Sequence, residues 1–379
     1  MKKTLSLVLV LWLLLTTLTG CTQTSTTETK TVKVWVIAPL SGPAATYGED
    51  TVNAYNMVVD EFNKKNKDLQ IQLVFEDGKC DGKDATSAAQ KLITVDKVQA
   101  IVWGVCSAET ISAGKIAQAN NVLMLSPVSS APEVAEVGNY VFRYWNDAYV
   151  TKKLADYMND QGIKKLAIIR ENTDYPLWYA NSLKKFFAGN VTLEEQYNGN
   201  EKDFSIIAKK VRNQINDIDA LIFITSSDSN TIDLVKSFDK QGILETLKGR
   251  VFGTEVTTTD VVKQWLGDLL ENIKLAQLVS VDELWKQSAL FIENFKKAFE
   301  VKSIPLFVIL EAEAMQTVLD AIKAKWNDGE AIRAYIAKYS ASNPRKWIIG
   351  NYYFTDKRDA SSLQFKVYQF KNSNLEVIE

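Results

Sequence analysis

The chain is 379 residues long, 46% hydrophobic and 24% charged, with 17 Gly and 7 Pro, a globular composition that excludes disordered, collagen-like and coiled-coil sequence. Lys plus Arg number 44 against 46 Asp plus Glu, so a formal charge of −2 offers no basic excess for nucleic acid. Histidine is absent, which removes Ser-His-Asp and Cys-His nucleophile pairs, His-ligated metals and the commonest general acid–base group. The length accommodates two cores of ordinary domain size.

Met1, Lys2 and Lys3 form a short basic start. Residues 5–18 (LSLVLVLWLLLTTL) are apolar but shorter than the roughly 20 residues of a membrane span. The run ends in Leu18, Thr19, Gly20 and Cys21, the pattern of a lipoprotein signal, and residues 21–31 make a polar tether. Residues 1–20 thus read as a leader cleaved before Cys21, whose sulfur carries lipid and holds the protein to the outer face of the cell membrane, or in the periplasm. Cleavage removes Lys2 and Lys3, leaving 42 basic against 46 acidic residues and a formal charge of −4. The two further cysteines, Cys80 and Cys106, read in an exported protein as one disulfide, with two buried thiols as the alternative. A two-cysteine metal site has no histidine to complete it.

From residue 32 the pattern alternates short β-rich runs with helical stretches. Strands are expected at 33–37, 71–75, 100–103 and 122–125, with helices near 49–65, 83–95 and 108–119 between and after them. A second series follows: helix 150–161, strand 165–169, helix 177–187, strand 191–196, helix 204–215, strand 220–224, helix 231–240 and strand 250–253. Long helices at 284–299, 305–326 and 330–338 come next, then aromatic β-like segments at 351–355 and 363–370. Repeated β-α-β units imply α/β lobes with parallel sheets covered on both faces.

Open parallel sheets bind ligands in the loops beyond the carboxyl ends of their strands. Those loops read SGPAATYG (41–48), GVCS (104–107), SPVSSA (126–131), ENTDY (171–175), TSSDS (225–229) and GTEVT (253–257). None is a phosphate-binding glycine loop. They are rich in hydroxyls and aromatics, and Glu255 is read as their lone acid. Hydroxyls at helix starts suit a carboxylate, an acid suits an ammonium, and tyrosines suit an apolar body: together, a zwitterionic amino acid. The competing role for the hydroxyls is helix capping, expected for Asp228, Ser229 and Thr258. The acidic segment 76–81 reads as a turn, since Lys79 stands where a calcium loop needs a ligand.

Six segments in order, PLSGPAATYG (39–48), DGKCD (77–81), GVCS (104–107), SPVSSAPE (126–133), NEKDF (200–204) and FGTE (252–255), resemble the branched-chain amino-acid (Leu/Ile/Val) binding family of type I periplasmic binding proteins, the substrate-binding lipoproteins of ABC transporters. The likeness spans about residues 32–370. It implies two doubly wound lobes joined by a three-crossing hinge, the first from 32–146 and 280–355 and the second from 147–279 and 356–379. It also implies a disulfide between Cys80 and Cys106.

Carried over by position, Ser107 binds the ligand carboxylate, Ser130 serves the amino-acid head, and the Val128 carbonyl accepts from the ammonium. Glu255 pairs with that ammonium, while Tyr47 and Tyr175 close on the ligand from either lobe. Ser227 stands where the family has an aromatic, Tyr175 is followed by Pro176, Leu177 and Trp178 instead of Gly, and Trp103 is bulkier than the pattern. These departures surround the side-chain pocket, so they bear on which cargo is taken. The resemblance implies a monomer, not an enzyme, without cofactor or metal. Its partners would be a small-molecule ligand and ABC permease subunits with cytoplasmic ATPases. Two alternatives stand beside it: a sensor using the same clamp, and transport of an amide, urea or aromatic acid.

Overall fold

The computed structural model describes residues 29–379, apart from 43, 99, 104, 280–285, 302–303, 326–327 and 362. The leader, Cys21 and most of the tether lie outside the described residues, as do Gly104 and the Trp103 side chain. No helix among the described residues is long and apolar enough to cross a membrane.

The first sheet is built from β1 (Lys30–Ala38), β2 (Leu69–Asp77), β3 (Ala100–Trp103), β4 (Leu123–Ser126) and β5 (Val141–Arg143). They pair in the order β2-β1-β3-β4-β5, all parallel. Side chains alternate across a strand, so β1 feeds two cores at once. Val34 and Val36 pack with Ala54, Tyr55 and Val58 of α1 (Ala45–Lys65). Trp35 and Ile37 pack on the other face with Ala85, Ala89 and Leu92 of α2 (Gly82–Thr94) and Ala113 and Ala117 of α3 (Ser107–Ala119). Each large apolar side chain buried in this way contributes about 1.5–3 kcal/mol.

The chain leaves this sheet through α4 (Asp147–Asp160) and builds a second one. Its elements are β6 (Lys165–Glu171), α5 (Asp174–Phe186), β7 (Asn190–Tyr197), α6 (Ser205–Asn213), β8 (Ala220–Ile224) and α7 (Asp228–Lys240). These are followed by α8 (Ile243–Thr246), β9 (Val251–Phe252), α9 (Asp260–Leu266) and β10 (Lys274–Leu278). The chain then returns to the first sheet with α10 (Lys286–Phe299), α11 (Leu306–Lys325) and α12 (Gly329–Ala337), α11 lying along α1. A small ribbon, β11 (Arg345–Trp347) and β12 (Gly350–Tyr352), precedes the last crossing to β13 (Phe365–Lys371) and β14 (Asn374–Val377).

The second sheet has the order β14-β13-β10-β9-β8-β6-β7. It is not wholly parallel: β13 runs antiparallel to β10, and β14 to β13. The sequence pattern misses β10 because Lys274 and Gln277 interrupt its apolar run, although all five of its residues are buried. Strands β5 and β14 are also absent from the sequence reading; three and four residues are too short to show a period. Three boundaries need correction. Lys30 and Thr31, assigned to the tether, belong to β1 and pair with Leu69 and Gln70. Helices α1 and α5 begin at Ala45 and Asp174, several residues before the expected 49 and 177, which places Tyr47 and Tyr175 in first helical turns.

Candidate functional site

The carboxyl ends of the two sheets face one cavity of about 330 Å³. Tyr47, Ser107, Val128, Ser130, Tyr175, Ser227 and Glu255 all line it, so the structure brings together every ligand residue named from sequence. Helix α5 of the second lobe lies beside α3 of the first, and Trp178 packs against the first-lobe cluster around Trp35 and Ile37. The lobes therefore meet across the cleft.

On the first-lobe wall, Ser107 opens α3, whose first turn receives no side-chain cap from Cys106. The exposed amide hydrogens of such a turn, with the helix dipole behind them, favour an anion. The Ser107 hydroxyl oxygen accepts from the backbone N–H groups of Ser130 and Ala131, at 3.2 Å each. With both lone pairs engaged, its proton is the part left to donate. The Ser130–Ala131 backbone is itself fixed from below. Arg143 donates to both carbonyls, at 3.2 Å to Ser130, and its Nε pairs with Asp359 at 2.5 Å. Asp359 also accepts from Asn146 at 2.7 Å, so the first and last crossings between the lobes share one buried knot.

On the second-lobe wall, Glu255 opens a short 3₁₀ turn (Glu255–Thr258) directly after β9. Its carboxylate is half-buried and accepts from the Tyr175 hydroxyl at 2.9 Å. Burial pushes the Glu255 carboxyl up, and the bonds from its own backbone and from Tyr175 pull part of the way back. No Lys or Arg among the described residues pairs with it, which leaves room for a cation from outside.

Glu255 is not the lone acid of the loops. Asp81, Glu171 and Asp174 also line the cavity. Two of these are occupied locally: Asp81 caps α2 through the N–H groups of Lys83 and Asp84, and Glu171 accepts from Ser226 N–H at 3.0 Å. Asp174 is raised, first by burial and then by Asp81 across the cleft. The expected caps at Asp228, Ser229 and Thr258 are also corrected. Ser227 caps α7 by accepting from Asn230 N–H at 3.3 Å, and Thr259 caps α9. Ser227 thus spends its hydroxyl on its helix while lining the cavity.

The apolar wall holds residues that the sequence reading did not single out. Phe307, at the start of α11, meets Tyr47 edge-on at 5.2 Å, and Pro305, Trp145 and Val105 continue the surface. Phe307, Pro305 and Trp145 lie outside the loops read as ligand-binding, whereas Val105 belongs to the GVCS loop. Helix α1 can seat Tyr47 here because Gly48 has no Cβ; one would lie 2.2 Å from the Pro39 carbonyl oxygen. Among the described residues, the buried Tyr47 hydroxyl has no hydrogen-bond partner.

Cys80 and Cys106 form a disulfide, with Cα atoms 5.3 Å apart. Glu109 lies beside it and accepts from Cys80 N–H at 2.9 Å. Joined sulfurs leave this trio unsuited to a metal. Within segment 76–81, Glu76 and Asp77 end β2 and the turn falls on Lys79 and Cys80. Asp77 is consumed by Leu40 N–H and Lys79 N–H, both at 3.0 Å, and by the Ser41 hydroxyl at 2.5 Å.

The periplasmic binding protein family matches residues 31–372. The Leucine-, isoleucine-, valine-, threonine-, and alanine-binding protein of Pseudomonas aeruginosa is 26% identical over 352 residues, covering 90% of each chain. The branched-chain amino acid transporter substrate binding protein of Streptococcus pneumoniae, in complex with isoleucine, superposes with a TM-score of 0.81 at 21% identity, covering 92% of this chain and 99% of that one. A solute binding protein of R. palustris in complex with benzoate gives 0.81 at 18% identity, covering 92% and 96%. With a match over nearly all the described residues, and with two α/β lobes joined by three crossings around a shared cavity, this chain belongs to the periplasmic binding protein family and has its type I fold.

Proposed function

We propose that this protein is the extracytoplasmic substrate-binding component of an ABC importer. It captures an apolar amino acid, branched-chain or close to it, between its lobes and delivers it to a membrane permease driven by cytoplasmic ATPases. It acts as a monomer, tethered by lipid on Cys21. The observation that carries this reading is the pairing of two opposite chemistries in one cavity: the proton-donating Ser107 at an uncapped helix start on one lobe, and on the other Glu255, which no Lys or Arg among the described residues pairs with. A carboxylate docks on the first and an ammonium on the second. Tyr47, Val128, Trp145 and Phe307 then cover an apolar side chain. Charged hydrogen bonds of about 1.5–3 kcal/mol each offset the desolvation of the zwitterion.

A second reading keeps transport and changes the cargo to an aromatic carboxylate. The rings of Trp145 and Phe307 favour it, and such a cargo has no use for Glu255.

A thermal-shift screen against the L-amino acids, benzoate and 4-hydroxybenzoate separates the two. A cargo at 100 times its dissociation constant stabilises by about 2.7 kcal/mol. Stabilisation by Leu, Ile or Val that is lost in Glu255→Gln supports the amino-acid clamp. Stabilisation by the benzoates alone, unaffected by that change, replaces it with the aromatic acid.

A further inference from the structure

Tyr175 lines the cavity, but its hydroxyl is directed to a neighbouring side chain of its own lobe. It donates to Glu255 Oε1 at 2.9 Å, across 80 residues of sequence. The ring is held from behind by Tyr179, fully buried in the second-lobe core, with centroids 6.0 Å apart and planes at 72°. Tyr175 also sits in the first turn of α5, immediately before the buried Pro176. Proline is tolerated in a first helical turn and fixes its own backbone angle there, so the Tyr175 backbone is part of a defined helix start.

We propose that Tyr175 is a positioning residue for cargo recognition: its hydroxyl orients the Glu255 carboxylate toward the cavity and keeps it in the ionised form that an ammonium requires. This rests on the reading that Glu255 receives the cargo ammonium. It gives Tyr175 a role distinct from covering the ligand with its ring. It also gives a purpose to the Pro176, Leu177 and Trp178 sequence that follows: a stiff helix start holds the hydroxyl at one distance from Glu255, where a glycine would let it drift. The carboxylate is drawn in two directions, burial favouring its proton, and the bond from its own backbone and then that from the phenol opposing it.

The test uses two matched pairs of ligands: L-leucine with 4-methylpentanoate, and L-phenylalanine with 3-phenylpropanoate. Each pair differs only by the α-amino group. Affinities are measured for the wild type, Tyr175→Phe, Glu255→Gln and the double variant. The ratio within a pair cancels every group that treats the two ligands alike, so it reports recognition of the ammonium. We expect Tyr175→Phe to lower that ratio about tenfold, and the double variant to be no worse than Glu255→Gln alone, because the phenol acts through the carboxylate. With pH, the ratio falls as Glu255 gains its proton. In Tyr175→Phe, which keeps the ring packed on Tyr179, this fall moves to higher pH; loss of ring coverage alone would not move it.

An unchanged ratio in Tyr175→Phe, with Glu255→Gln still abolishing the preference, overturns the positioning role and leaves the proposed function standing. A wild type that does not prefer the amino acid in either pair overturns the ammonium reading, and the positioning role falls with it.

Discussion

Arg143 and Asp359 are 216 residues apart in sequence and 2.5 Å apart in the structure, each with a side chain only 1% exposed. Arg143 ends β5, and Asp359 lies on the last crossing between the lobes. The same guanidinium holds the carbonyls of Ser130 and Ala131, whose N–H groups point at the Ser107 hydroxyl. Hinge and cargo wall are thereby coupled through one side chain. Removing one partner of a buried pair leaves an uncompensated charge, at a cost of about 3–5 kcal/mol. Asp359→Ala should lose that much in urea unfolding and weaken cargo binding as well. Replacing both partners with apolar residues should recover much of the stability without restoring affinity. Full stability in Asp359→Ala would show that the pair is not structural.

The disulfide closes a loop with a sequence separation of 26 immediately before Ser107. In the chain-entropy model such a closure contributes about 3–4 kcal/mol. Replacing both cysteines by Ser should lower unfolding stability by that order and loosen the start of α3. Cargo affinity should then fall more than it does for a stability-matched substitution in the second lobe. An equal fall in both would confine the bridge to a purely structural role.

Asp50 gives the cleft a pH dependence. Its carboxyl is pushed up to about 6, first by burial, then by the charges of Glu49 on its own helix and of Asp260 and Asp228 on the opposite lobe. Because Asp260 and Asp228 belong to the opposite lobe, the carboxyl should hold its proton more tightly when the lobes close than when they part, so closure should take up a proton. It is eased as pH falls through about 6 and opposed above that. Asp50→Asn should therefore bind cargo more tightly than the wild type at pH 8, by up to about tenfold, and equally at pH 5. Titrations at the two pH values check this. A difference of the same size at both would mean that Asp50 charge is not what opposes closure.

Trp178 projects from α5 onto the first-lobe cluster that contains Trp35 and Ile37. It should act as a latch whose surroundings change with lobe separation. Trp178→Ala should weaken cargo binding several-fold, and small-angle scattering of the empty protein should show a larger radius than for the wild type. Identical radii and affinities would remove it from the closing contact.

Much of this architecture was legible in the sequence. The β-α-β alternation stands out because strands such as β1 carry period-two runs beside helices with period 3.6, and the two sheets follow from it. Glu255 was visible as an acid in a short polar loop after an apolar strand, whereas Ser107 and Ser130 were singled out by the resemblance to the branched-chain amino-acid binding family. What escaped was either masked locally or assembled over distance. Lys274 and Gln277 disguised β10, and Phe307 reaches the cavity from a helix whose apolar residues look like ordinary core. The capping of α7 by Ser227 instead of Asp228 or Ser229 turned on a helix start that three adjacent polar residues left undecided. The Arg143–Asp359 pair has no local signature at all.

The central claim is a zwitterion held between Ser107 and Glu255, and a crystal structure of the protein grown in saturating L-leucine tests it most directly. The account predicts the ligand carboxylate within about 3 Å of the Ser107 hydroxyl and the first N–H groups of α3, with its ammonium at the same distance from Glu255. A ligand bound with its carboxylate away from α3, or with Glu255 still bonded only to Tyr175 and its own backbone, would contradict it.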